Sequence, residues 1–207
     1  MTGYAAAMQH LLDGYARFRE SAWPERRALF ERLAAQGQRP RTMVVACSDS
    51  RVDPAMIFDA GPGELFVVRN VANLVPPYQP DGNYHGTSAA LEFGVCNLEV
   101  QDLIVMGHGL CSGVQALLSD VAPQGDFFGS WIHLAQRARR QVLACDAPDR
   151  QLTGEHAVVR VSLENLASFP WIASRMSAGT LRLHGAHFDV RSGVLAVLQP
   201  DGSFAAA

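Results

Sequence analysis

The sequence predicts an α/β fold: a central, mainly parallel β-sheet flanked by helices, with an N-terminal helical arm and a C-terminal strand and hairpin. Three observations carry this expectation. Short apolar runs at 42–46, 65–68 and 103–106, rich in Val and Ile, read as strands buried on both faces. Apolar stripes at helical spacing separate them, the order of a sheet built through crossover helices. The 207 residues hold no internal repeat, low-complexity tract or Gly/Ser/Pro-rich linker, so a single domain over 1–207 is expected, with 1–37 as the arm.

The elements follow in order. Tyr4, Met8, Leu11, Tyr15 and Phe18 recur at helical spacing, the mark of an amphipathic helix. A second helix is expected over 24–35, with Pro24 in its first turn and Gly37 past its end. The first and second strands come next. Ala90, Leu91, Gly94, Val95 and Leu98 form a helical stripe within 87–98. The third strand is followed by a helix over 113–118, one over 131–143 with a basic face, and one over 158–166 that ends before Pro170. The runs 181–183 and 194–198 flank a turn at 189–193, which suggests a terminal strand and hairpin.

Composition narrows the function classes. Hydrophobic residues make up 48% and charged residues 18%, ordinary for a globular chain. A net charge of -3 argues against a nucleic-acid partner. The apolar runs are too short to span a bilayer, and the N-terminus lacks a basic start followed by an apolar stretch. No membrane partner and a cytoplasmic location are expected. Four cysteines do not make a disulfide scaffold in a chain of this size; metal ligands, catalytic groups or small core residues suit them better.

In parallel sheets, ligands bind outside the carboxyl ends of the strands, where strand order reverses. Two polar segments occupy such places. Cys47-Ser48-Asp49-Ser50-Arg51 follows the first strand, and Gly107-His108-Gly109-Leu110-Cys111 follows the third. His108 and Cys111, three residues apart, can share one metal from a turn entering a helix, and Cys47 would add a ligand from the neighbouring strand end. Two thiolates and an imidazole suit Zn²⁺, and three protein ligands leave a fourth position open, as in catalytic rather than structural zinc sites. From spacing alone, small buried cysteines remain the competing reading. Asp49 can bind a metal, accept a proton or cap a helix, and with Arg51 it can equally form a loop ion pair.

The paired motifs, joined by the stretch Pro62-Gly-Glu-Leu-Phe-Val-Val-Arg-Asn-Val-Ala-Asn-Leu-Val75 and followed by Leu183-His-Gly185, resemble the β-class carbonic anhydrases over nearly the whole chain. The resemblance implies one Zn²⁺ per chain on Cys47, His108 and Cys111, and reversible hydration of CO₂ to bicarbonate and a proton by hydroxide on the zinc. It makes Asp49 and Arg51 catalytic. In a closed state of some members the matching aspartate fills the fourth position; pairing with Arg51 withdraws it and lets water bind. Gln38, Phe66, Val71, Phe93 and Ser112 match substrate-pocket positions, in a pocket built at a dimer interface, so a homodimer or dimer of dimers is implied.

Three departures accompany the likeness. Ser112 replaces a glycine, and Phe93 stands where many members have tyrosine. Val44 and Ala46 occupy the places where a bicarbonate-inhibited subgroup carries Trp and Gly, which favours an open zinc site. Charge cancellation by two thiolates makes the zinc a weak acid, so activity should favour alkaline pH. His85, His133 and His156 are conceivable proton shuttles, although a solvated or core role suits each better, and Cys96 and Cys145 read as small buried hydrophobes. Two other functions fit the same motifs: hydrolysis of carbon disulfide or carbonyl sulfide, and a non-catalytic, zinc-stabilised bicarbonate-binding protein.

Overall fold

The computed structural model describes the backbone of residues 3–121 and 125–207, and side chains from residue 7 onward. Its contacts divide the chain into two compact units, Met1–Gln38 and Arg39–Ala207. The boundary falls one residue beyond the expected arm.

The first unit is helical. Helix α1 (Gly3–Arg17) runs through one wider turn, Phe18–Ala22, into α2 (Trp23–Gln36). Pro24 follows this wider turn as the second residue of α2, and Gly37 ends the helix at φ 76°. Trp23 packs between Phe18 and Phe30, with ring centroids 6.2 and 5.2 Å away. Met8, Leu11, Leu12 and Tyr15 remain exposed along α1.

The second unit is built on a six-stranded sheet of order β2-β1-β3-β4-β5-β6. Strands β1 (Thr42–Cys47), β2 (Leu65–Asn70), β3 (Asp102–His108) and β4 (Arg182–Phe188) are parallel. Strands β5 (Leu195–Leu198) and β6 (Phe204–Ala206) return antiparallel. From β1 the chain crosses to β2 on one side and then to β3 on the other, so strand order reverses between β1 and β3. Every residue from Met43 to Cys47 is buried, as expected of a central strand covered on both faces. No described helix is long and apolar enough to cross a membrane.

The helices are α3 (Pro54–Ile57), α4 (Gly86–Glu92), α5 (Ser112–Leu118), α6 (Phe128–His133), α7 (Gln136–Leu143), α8 (Arg150–Leu166) and α9 (Pro170–Ser177). Several differ from expectation: α3 was not expected, and within the stripe expected over 87–98 α4 gives way at Phe93 to a wider turn. The helix expected over 131–143 is two, broken at Leu134–Ala135, where Ala135 leaves helical geometry at φ −94°, ψ 14°. Helix α8 begins eight residues before the expected start, because the Asp149 side chain caps it by accepting the Leu152 N–H at 2.9 Å. Pro170 both ends the preceding segment and opens α9, and the short strand β6 was not expected. Cys96 and Cys145, read as buried, are exposed; Cys96 lies in the wide turn that follows α4, and Cys145 follows α7.

Helix α8 packs across β3 and β4 by way of glycines. A Cβ on Gly107 would stand 2.8 Å from Val159 Cγ2, and one on Gly154 would stand 2.9 Å from Leu118 Cδ1. On the same helix, His156 stacks on Phe204 at 3.9 Å and meets the edge of His187 at 4.8 Å. Burial, then the charges of His187 and Arg160, lower the His156 pKa from its usual 6.5 to about 4, against an opposing pull from Glu155. The unfolded chain therefore takes up a proton below pH 6.5 that the folded chain refuses until about pH 4. Stability from this group is complete above the unfolded pKa and is lost across that window, by on the order of 3 kcal/mol at most. Thermal melts of metal-free protein should show His156→Phe losing less stability than wild type between those pH values; parallel declines would contradict the assignment.

Candidate metal centre

The reversal of strand order places the ends of β1 and β3 side by side, with Thr42 to Ala46 in register with Asp102 to Met106. Cys47 ends β1 and His108 ends β3. Beyond His108 the chain turns sharply: Leu110 adopts φ 58°, and Cys111 occupies the capping position of α5. A Cβ on Gly109 would press on Asp189 Oδ1 at 3.2 Å, so the turn passes close against the loop after β4. The result brings the ligand atoms of Cys47, His108 and Cys111 within 4.8 Å of one another, all three residues being buried.

The donor chemistry fits a metal. The Cys47 and Cys111 sulfurs are 4.0 Å apart, close to the edge of a tetrahedron with Zn–S bonds of about 2.3 Å. His108 Nδ1 shares a hydrogen with the Gly109 carbonyl at 2.9 Å, which fixes the tautomer with Nδ1 protonated and leaves Nε2 as a lone-pair donor. Among the described residues Nε2 has no hydrogen-bond partner, although His108 is only 1% exposed. An orphaned buried nitrogen beside two thiols is costly unless a cation takes its lone pair. Hydrogen bonding from Cys111 lowers the Cys47 pKa despite burial, and the same contact together with burial raises that of Cys111. Without a cation, one thiolate suppresses the other.

The carboxylate of Asp49 is held off this cluster. Arg51 Nε donates to Oδ1 at 2.9 Å and Nη2 to Oδ2 at 2.7 Å, and the Arg51 backbone N–H also reaches Oδ1 at 3.0 Å. Arg51 Nη2 further reaches the Leu110 carbonyl at 3.3 Å, tying the two ligand loops together. The Arg51 fork, above all, holds the Asp49 carboxyl well below the usual carboxylate range.

Sequence reasoning gave Arg69 no role. Its guanidinium donates to the carbonyls of Cys47 and Asp49 and to Asp53 Oδ2, and Asp53 in turn caps α3. This one side chain pins the loop that carries Cys47. The signal was present: an arginine at the end of an apolar strand needs acceptors nearby. Glu155 was also missed, because α8 was expected to begin after it. It is 2% exposed and accepts the Cys111 N–H at 3.0 Å.

The expected pocket residues are dispersed. Phe66 and Phe93 pack together at 5.8 Å, but Phe66 pairs with Met43, four residues before the rim and roughly 13 Å from it along the strand. Val71 is 40% exposed and lines a cavity of about 900 Å³ with Tyr84, His85, Phe127 and Trp131; none of the three ligands lines that cavity. Ser112 is exposed at the start of α5, next to Cys111. Gln38 closes the N-terminal unit and is exposed. Of the conceivable shuttles, His85 pairs with Asp81 at 2.7 Å, while His156 is enclosed against Phe204 and His187.

Residues 42–195 match the family model described as carbonic anhydrase. A carbonic anhydrase of Pseudomonas aeruginosa is 38% identical over 191 residues, covering 90% of this chain and 85% of that one. Among solved structures, the β-carbonic anhydrase CcaA superposes with a TM-score of 0.90 at 33% identity, over 97% of this chain and 100% of its own. A tetrameric β-carbonic anhydrase of Sordaria macrospora gives a TM-score of 0.74 at 27% identity, over 98% and 97% of the two chains.

Metal-free protein titrated with zinc should bind one ion per chain and melt at higher temperature, with about 2.7 kcal/mol gained at a hundredfold excess over Kd. His108→Ala should abolish that gain. A melting temperature indifferent to zinc, or an equal rise in the variant, would rule out this centre.

Proposed function

The chain belongs to the β-class carbonic anhydrases, and we propose that it hydrates CO₂ reversibly at one zinc ion held by Cys47, His108 and Cys111. The observation that carries the metal reading is the orphaned His108 Nε2 beside two thiols at the strand-reversal point. Zinc bound there acidifies a water molecule enough to supply hydroxide near neutral pH. Asp49, kept ionised by Arg51, is an acceptor that can hold and orient the O–H of the attacking group. The fork holds the Asp49 carboxylate outside the ligand cluster and leaves a lone pair on Oδ2 for that O–H, which favours the open arrangement. The net reaction would take CO₂ and water to bicarbonate and a proton, which passes to solvent.

The pocket residues support a shared site. Phe66 and Phe93 stand well away from the metal rim of their own chain, so an apolar pocket that uses them at the zinc requires a second copy. The Sordaria macrospora relative is tetrameric, and a homodimer or dimer of dimers is our reading of this chain. Gln38 would orient substrate through its amide, and Val71 and Ser112 would line the entrance. Thiol ligands need reducing surroundings, which suits a cytoplasmic enzyme. The relatives are carbonic anhydrases, which favours CO₂ over carbon disulfide or carbonyl sulfide as substrate.

Stopped-flow CO₂ hydration with zinc measured on the same sample tests the function. The rate should climb between about pH 6 and about pH 9, because two thiolates offset the charge that acidifies the water. One zinc per chain with no hydration would sink the reading, and a flat profile would sink the electrostatic argument.

Arg51→Ala releases Asp49 toward the metal and should lower kcat/KM by about 10–100-fold at unchanged zinc content. Arg51→Lys should not restore it, since an ammonium cannot make the two-pronged contact. Wild-type rates in either variant would remove Arg51 from the mechanism.

A further inference from the structure

We propose that Glu155, together with His187 and Gln151, is a positioning residue that sets the zinc ligand Cys111 through its main chain. The inference rests on the metal-centre reading above and adds a group outside the ligand motifs.

Glu155 lies on α8, on the face turned to the core, and is 2% exposed; His187, on β4, is 3% exposed. A carboxylate in such a place persists only where its lone pairs are used. Here both oxygens are. Oε1 accepts the Cys111 N–H at 3.0 Å and Gln151 Nε2 at 2.8 Å, and Oε2 pairs with His187 Nε2 at 2.9 Å. Gln151 Nε2 also donates to the Cys111 carbonyl at 3.1 Å. One turn of α8 therefore grips both polar atoms of the Cys111 backbone.

The consequence is geometric. Cys111 caps α5, so its N–H has no acceptor within that helix. With N–H and carbonyl both tied, the sulfur can move only by turning about one side-chain bond. The grip is braced from behind. His187 is in register with Gly107, one residue before the ligand His108, and its ring meets His156, which stacks on Phe204. Gly154 and Gly107 let α8 approach α5 and β3 closely enough for Glu155 to reach Cys111. Glu155 is not itself in the metal cluster. It acts as outer-shell groups do, by fixing the orientation of a ligand.

Zinc affinity, measured by competition with a chromophoric chelator on the full chain, tests this, with the absorption spectrum of the cobalt-substituted protein as a second readout. Glu155→Ala should weaken zinc binding by about 10–100-fold and shift the cobalt bands. Glu155→Gln, which keeps an oxygen for the Cys111 N–H, should recover most of the affinity. Leu166→Ala, a buried truncation farther along α8, should lower the melting temperature while leaving zinc affinity and cobalt bands as in wild type. Unchanged affinity in Glu155→Ala, or an equal loss in Leu166→Ala, would overturn the inference while the metal centre stands. Should Glu155→Ala fail to fold, Gln151→Ala and Glu155→Gln decide: shifted cobalt bands in Gln151→Ala support the proposal, and wild-type bands in both refute it. An unaltered chain that binds no zinc would instead bring down the metal reading itself.

Discussion

Two buried sulfurs 4.0 Å apart are the constraint around which the rest of this molecule is arranged. Neither thiolate tolerates the other in a dry site, and the adjacent imidazole nitrogen has no partner of its own. Without a cation the pair keeps a proton, one sulfur donating to the other, and the loops that carry the sulfurs are held in place at several points. Arg69 holds the carbonyls of Cys47 and Asp49. Arg51 bridges Asp49 to Leu110 across the two loops. Glu155 and Gln151 hold Cys111. The sheet supplies the frame, because the parallel pairing of β1 with β3 sets the two strand ends side by side. Pre-organisation here means that the ligand atoms already stand together, so a cation could displace the shared proton without moving the loops.

The charges around the centre work in one direction. Two thiolates would offset a divalent ion, and Glu155, itself paired with His187, stands directly behind one of them. Asp49 is on the open side, but its charge is matched by the Arg51 guanidinium in a two-pronged pair. A water on a zinc held here would therefore feel little net positive charge, the opposite of a site built from neutral imidazoles. Arg51 keeps Asp49 ionised, and the same two-pronged contact would keep Asp49 from taking the fourth position on a bound zinc.

How much of this was legible depended on whether the determining contact was local. The strand runs and the two ligand motifs are contiguous stretches, and their places at strand ends follow from the general geometry of parallel sheets. The Asp49–Arg51 pair spans two residues and could be read as a pair, while the expectation of an open zinc site came from Val44 and Ala46 rather than from the pair itself. Arg69 and Glu155 were missed for different reasons. Arg69 ends an apolar strand, which signals a need for acceptors, but two of the three it finds are backbone carbonyls that carry no sequence signature. Glu155 was hidden by the misplaced start of α8: a cap at Asp149 followed by a glycine at 154 does not look like the opening of a long helix. The broken helix at 134–135 fails similarly, since nothing apolar or polar marks the break.

The apolar pocket shows a different limit. Phe66 and Phe93 touch each other, yet the register of β1 and β2 puts Phe66 four residues short of the rim where Cys47 and Asn70 pair. No rotamer can span that gap, because a phenyl ring reaches far less than the roughly 13 Å of strand between them. A motif records that residues serve one site without recording whether one chain or two must supply them. In a single copy, the metal half of this centre is complete and the apolar half is displaced toward the far end of the sheet. If both halves act together, association is part of building the catalytic site, and surface substitutions near Phe93, which is 47% exposed, would then weaken catalysis without touching a ligand.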